Sequence, residues 1–164
     1  MKNQGNIIIL VAGDDPNARA LMTEAFQASG VQAELRMVNS GQDLLDYLCN
    51  RGKNWTAENA PKPHLILLDL TPPGLDGHAA LVEIKGDSIL RQIPVVVLTT
   101  SQDKQDVIRS YTAGASSYVT KPQRFDDLVD MIGLLGKYWL EVVELPPRTP
   151  GDQHVRSTDQ APLG

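Results

Sequence analysis

Apolar residues along this chain follow two kinds of spacing, and the two alternate. Solid runs fill residues 7–12, 65–70 and 95–98. Each is short and bounded by turn residues, as a strand buried on both faces should be. Residues 117–120 form a shorter piece of the same kind, and residues 32–38 alternate loosely, as an edge strand does. Between these runs the spacing changes to three and four residues. Leu21, Met22, Ala25 and Phe26 make one helical stripe, Leu44, Leu45 and Leu48 a second, and Ala80, Leu81 and Ile84 a third. The helix ends are marked as well. Asp15 stands as an N-cap before Pro16 at the first helical position, Gly30 closes that helix, and Ser40 caps the next. A fourth helix is predicted over residues 104–113, ending at Gly114, and a fifth over residues 125–144. Residues 50–63 are polar and carry two prolines, and read as a loop. Five strands alternating with five helices predict a parallel sheet covered on both faces, with right-handed crossovers.

In such a sheet ligands bind beyond the carboxyl ends of the strands. Four chemically loaded residues fall at those ends: Asp14, Asp69, Thr99 and Lys121. Asp69 is the most telling. A charged group at the end of a strand buried on both faces costs free energy unless it has partners. Asp14 and Asp69 together form an oxygen-only site suited to Mg²⁺, which keeps several of its waters. A carboxylate beside such a cation can attack phosphorus and form an acyl phosphate. Lys121, held by Pro122, supplies an ammonium for phosphoryl oxygens. Thr99 supplies a hydroxyl; Thr100 is the competing one, on the opposite face of the strand.

Composition narrows the partners. The chain has 164 residues, with a formal net charge of −5, which argues against nucleic acid or an anionic membrane surface. Cys49 is the single cysteine, which excludes a disulfide framework and fits a reducing, cytoplasmic setting. It is expected to pack as a small hydrophobe on the second helix. His64, His78 and His154 show no metal-ligand spacing. Trp55 is expected to pin its loop. No phosphate-binding glycine loop with lysine and serine or threonine is present. Residues 1–145 read as one domain, and residues 146–164 as a polar, proline-containing tail.

Four stretches carry a family resemblance. They are Gly13-Asp14-Asp15-Pro16; Leu67-Leu68-Asp69-Leu70 with Asp76-Gly77; Pro94 through Ser101; and Gly114 through Pro122. In order and spacing they resemble the receiver domains of two-component response regulators. The resemblance implies a flavodoxin-like, doubly wound sheet in the order 2-1-3-4-5. It implies Asp69 as the phosphoacceptor, with Mg²⁺ bound by Asp14, Asp69 and the backbone carbonyl of Thr71. Thr99 and Lys121 would sense the phosphoryl group, and Tyr118 would change rotamer when Thr99 moves. One position departs from the pattern. With Pro16 and Arg19 aligned to the first helix of relatives, Gly13 replaces the first of two adjacent acids, and Asp15 becomes the helix cap. Weaker Mg²⁺ binding is the expected result.

The loop over residues 50–63, the segment Pro94 through Asp106 and above all the stretch Tyr138 through Pro146 resemble the single-domain regulators paired with bacterial and cyanobacterial phytochromes. That implies a light-sensing histidine kinase as partner and no DNA-binding output domain. The fifth helix carries two apolar stripes. Phe125, Leu128, Ile132, Leu135, Trp139 and Val142 form one; Met131, Leu134 and Tyr138 form another. One stripe suffices to cover a sheet. The second suggests an interface, and the resemblance points to a homodimer through Met131, Leu134, Tyr138, Trp139 and Val142. Beyond self-phosphorylation from a donor and slow self-dephosphorylation, no enzyme activity is expected. An aspartyl-nucleophile hydrolase would usually place a second acid two residues after Asp69, where Thr71 stands. A phosphorylation-independent interaction module is the alternative, and Gly13 is the feature in its favour.

Overall fold

The computed structural model describes residues 6–70 and 75–147. The elements follow in strict alternation: β1 (Ile8–Ala12), α1 (Pro16–Ser29), β2 (Glu34–Val38), α2 (Gly41–Cys49), β3 (Leu65–Asp69), α3 (Leu75–Gly86), β4 (Val95–Thr99), α4 (Lys104–Ala113), β5 (Ser117–Thr120) and α5 (Phe125–Gly136). The strands form one parallel sheet in the order β2-β1-β3-β4-β5. This is the flavodoxin-like arrangement expected above. Every residue of β1, β3 and β4 is buried, so these strands could not show an alternating pattern.

Side-chain alternation splits each strand between two cores. Leu10, Ile66, Leu68, Val95 and Val97 pack with α2 and α3 residues such as Leu44, Leu48, Leu81 and Ile84. Ile9, Val11, Leu65, Leu67 and Leu98 pack on the other face with Met22 and Phe26 of α1 and Leu128 and Ile132 of α5. The expected caps form: Asp15 accepts from the Asn17 amide, Ser40 from the Asp43 amide, and Gly30 and Gly114 end their helices in the left-handed region.

The loop after α2 is pinned by Trp55. Its indole N–H donates to Asp43 Oδ1 at 2.7 Å, and its ring meets Tyr47 edge-on at 5.0 Å. Lys85, near the end of α3, donates through Nζ to the carbonyls of Arg91 and Ile93 at 2.9 and 2.7 Å. These bonds tie a 3-10 turn (Leu90–Gln92) to the start of β4. Burial holds the Lys85 ammonium below the usual lysine range.

The last helix differs from the expected single α-helix over residues 125–144. The α-helix stops at Gly136, and Lys137–Val142 continue as a π-helical turn closed by the Val143 amide on Tyr138 O, five residues back. The wider turn rotates the residues that follow. Leu128 and Ile132 are buried, whereas Val142, placed by spacing on the same stripe, is 58% exposed. Among the described residues no helix is long and apolar enough to cross a membrane. The expected tail falls almost wholly outside the described residues.

Candidate functional site

The carboxyl ends of β1 and β3 border a small cleft of about 60 Å³, lined by Gly13, Asp14, Ser40, Gly41, Asp69, Leu70, Asp76 and their neighbours. Asp69 is held there by its pairing with β4. Its Cα pairs with Leu98, and the Leu70 amide donates to Leu98 O at 2.7 Å. The side chain is only 5% exposed and accepts from Lys121 Nζ at 2.8 Å. Lys121 is fixed in turn, because its amide donates to Thr99 O at 2.7 Å as β5 runs out. Two residues 52 positions apart therefore meet through parallel pairing, as the strand-end rule requires.

Thr99 stands one residue beyond Leu98, the partner of Asp69, and is buried; Thr100 is exposed. Thr99 Oγ1 accepts from the Ser101 amide at 3.2 Å. The Tyr118 hydroxyl donates to Ser101 O at 2.9 Å, and Ser101 Oγ donates to Asp106 at 2.6 Å. Thr99 and Tyr118 are thus linked through Ser101.

Asp14 is exposed in the β1–α1 loop and has no hydrogen-bonding partner among the described residues. Asp15 is engaged as the α1 cap. Gly13 lies against Asp69: a Cβ placed on it would stand 3.2 Å from Asp69 Cβ. Position 13, not 15, therefore faces the Asp69 carboxylate. Arg19 reaches back from α1 and donates through Nη1 to Gly13 O at 3.0 Å.

Asp76 has a structural role that its place in the sequence does not announce. Its Oδ2 accepts from the buried Gly41 amide at 2.6 Å, joining the starts of α2 and α3. Gly41 has no room for a side chain there, since a Cβ would come within 2.5 Å of Asp76 O. The glycine directly after the Ser40 cap is the one available signal.

The donor set fits a hard divalent cation. Asp14 and Asp69 meet in one cleft, with Asp14 unengaged and the third lining carboxylate, Asp76, taken up by the Gly41 amide. An oxygen-only pair of this kind suits an ion that keeps its waters. Thr71, expected to offer its carbonyl, lies outside the described residues. No group of three or more His, Cys, Asp or Glu with metal-binding geometry occurs among the described residues. The site rests on two acids rather than three.

On α5 and the π turn, Leu134, Tyr138 and Val142 are exposed. Met131 and Trp139 instead lie partly buried against the core shared by α1 and α5.

An acid at the end of β3 and a lysine just after β5 thus meet across the end of β4 on a 2-1-3-4-5 sheet. Residues 9–133 match the response regulator receiver domain, and the chain belongs to that family. It is 40% identical over 144 residues to response regulator Rcp1 of Synechocystis sp., covering 88% of this chain and 95% of that protein. It also matches the structure of the Mn²⁺-bound form of Rcp1, with a TM-score of 0.74 and 39% identity over 86% of this chain and 99% of that one. The phosphorylated cyanobacterial phytochrome response regulator RcpA aligns with a TM-score of 0.77 and 35% identity, over 87% of this chain and all (100%) of that one.

Proposed function

We propose that the protein is a phosphoacceptor of a two-component phosphorelay, taking its phosphoryl group on Asp69. The observation that carries this reading is the 2.8 Å contact between Lys121 Nζ and the buried Asp69 carboxylate, in the cleft that also holds Asp14. In the transfer, an Asp69 oxygen forms a bond to phosphorus as the bond from phosphorus to the donor's histidine nitrogen breaks. The leaving imidazole keeps the bonding electron pair and takes up a proton. Asp14, Asp69 and the Thr71 carbonyl would hold Mg²⁺, which neutralises charge on the transferring group. Lys121 keeps Asp69 paired beforehand and turns to a phosphoryl oxygen afterwards. Thr99 then bonds the phosphoryl group, and its displacement reaches Tyr118 through Ser101.

The donor is a histidine kinase. The likeness to RcpA, named as a phytochrome response regulator, supports a phytochrome as that kinase. The apolar side chains of Leu134, Tyr138 and Val142, with Met131 and Trp139 at their edge, support a homodimer through α5 and the π turn. The setting is cytoplasmic, with no nucleic-acid partner.

The test is phosphorylation with Mg²⁺ and acetyl phosphate, resolved on a phosphate-affinity gel beside Asp69→Asn. A retarded band in the parent and none in the variant is expected. No retarded band in either, with the cognate kinase also present, would favour a phosphorylation-independent interaction module. Gly13 is the observation behind that second reading.

A further inference from the structure

We infer that Arg19 is a resident cation of the acceptor site: standing beside the position where Gly13 withholds a carboxylate, it raises the concentration of divalent metal at which the site fills. This rests on Asp69 as the centre of a metal-assisted acceptor site and concerns how that site is set.

Every charge around the cleft is accounted for by geometry. Asp69 is paired with Lys121. Asp76 faces the start of α2 and is engaged by the Gly41 amide. Asp15 is turned to its own helix as a cap. Asp14 is the one carboxylate there without a hydrogen-bonding partner among the described residues. Against it stands Arg19, with Nη1 on Gly13 O at 3.0 Å, while a Cβ on Gly13 would lie 3.7 Å from Asp69 Cγ. Those contacts and the covalent bonds between them keep the guanidinium within about 11 Å of the Asp69 carboxylate. That is about one screening length at about 0.1 M salt and well within it at the lower salt of the test below.

A side chain at position 13 would project toward Asp69; a carboxylate there would draw the metal in. Glycine removes that attraction, and Arg19 adds a repulsion. A divalent ion at the site feels the guanidinium across a partly wet path. At that distance the repulsion weakens metal binding by about three- to tenfold at low salt. Its own two cations, Lys121 and Arg19, offset two of the four carboxylates around the metal-free site. A phosphoryl group, which brings negative charge, restores the attraction for metal.

The experiment is a titration of the full chain with Mn²⁺ in 20 mM salt, reading free Mn²⁺ by electron paramagnetic resonance, with Mg²⁺ as competitor. Arg19→Gln keeps a donor for Gly13 O and removes the charge; it should bind metal three- to tenfold more tightly. Arg19→Lys should stay near the parent. The gain in Arg19→Gln should fade when the salt is raised to 300 mM, which a merely structural role of Arg19 would not produce. Gly13→Asp should also tighten binding, by more than Arg19→Gln. Circular dichroism checks folding, and Arg19→Met replaces Arg19→Gln if the latter does not fold. Binding by the charge-removed variant equal to or weaker than the parent would overturn the inference, as would a gain independent of salt. Asp69→Asn separates the two levels. If it leaves metal affinity unchanged in the parent, the acceptor-site reading fails regardless of Arg19.

Discussion

Replacing Lys121 by methionine keeps most of the side-chain volume and removes the ammonium. In the folded protein that ammonium sits 2.8 Å from Asp69 Oδ2, with side-chain exposures of 11% and 5%. Breaking a fully buried ion pair by deleting one partner costs about 3–5 kcal/mol, most of it from the charge left behind. The pair lies at the open end of a sheet, where water reaches part of it, so a loss of about 2 kcal/mol is expected. With a urea dependence of about 2 kcal/mol per molar, the unfolding midpoint should fall by about 1 M. The decisive comparison is the same substitution in Asp69→Asn, which leaves no buried charge. There Lys121→Met should cost less than about 0.5 kcal/mol, so that the cycle returns a coupling of about 1.5 kcal/mol. Equal losses in both backgrounds would show that Lys121 stabilises through its stem alone, and would remove the electrostatic account of the site.

Gly41→Ala should cost about 1–3 kcal/mol in urea unfolding, because its Cβ would meet the Asp76 backbone at 2.5 Å and force α2 from α3; a neutral result would show that the two helix starts are not in tight contact. If the proposed dimer forms through α5, Leu134→Glu on its exposed face should reduce the light-scattering mass to that of a monomer without changing the thermal midpoint by more than a few degrees; a parent that is already monomeric, or an unchanged mass in the variant, would refute a dimer through this face. For Lys85, whose pKa burial lowers from 10.5, the charged form is the one penalised by folding. Its cost is full below the lowered folded-state pKa and gone above 10.5. The parent should therefore gain stability relative to Lys85→Met as pH rises toward that value, and a flat or falling difference in urea midpoint would contradict this.

Legibility in the sequence depends on how local each signal is. The strands β1, β3 and β4 can be read because a parallel sheet buries both faces and writes them as unbroken apolar runs. The edge strand β2 begins two residues later than its apolar pattern does, since Val31 and Ala33 pack on the core without entering the ladder. Asp69 and Lys121 are legible as a pair only through the rule that strand ends converge. Contacts made by ordinary residues across distant segments are not. Nothing local announces that Trp55 donates to Asp43 or that Arg19 folds back on Gly13 O, and the contact of Gly41 with Asp76 leaves only the trace of a glycine directly after the Ser40 cap. The π turn escapes because residues 125–142 keep an acceptable helical spacing, and only the exposure of Val142 reveals the change of pitch.

The placement of α5 has a practical consequence. Its last residue, Gly136, lies against Val31, which precedes β2, and the amide at the start of β2 bonds Ile7 O at 2.7 Å. Residue 6 and the end of α5 therefore lie together at the amino ends of the strands, a full strand length from Asp69. A fluorophore attached at the exposed Asn6 would hang from the floor of the molecule. The Asp69 cleft at the roof would stay open to solution, so a single tethered protein could be used to test whether metal, donor and kinase bind there.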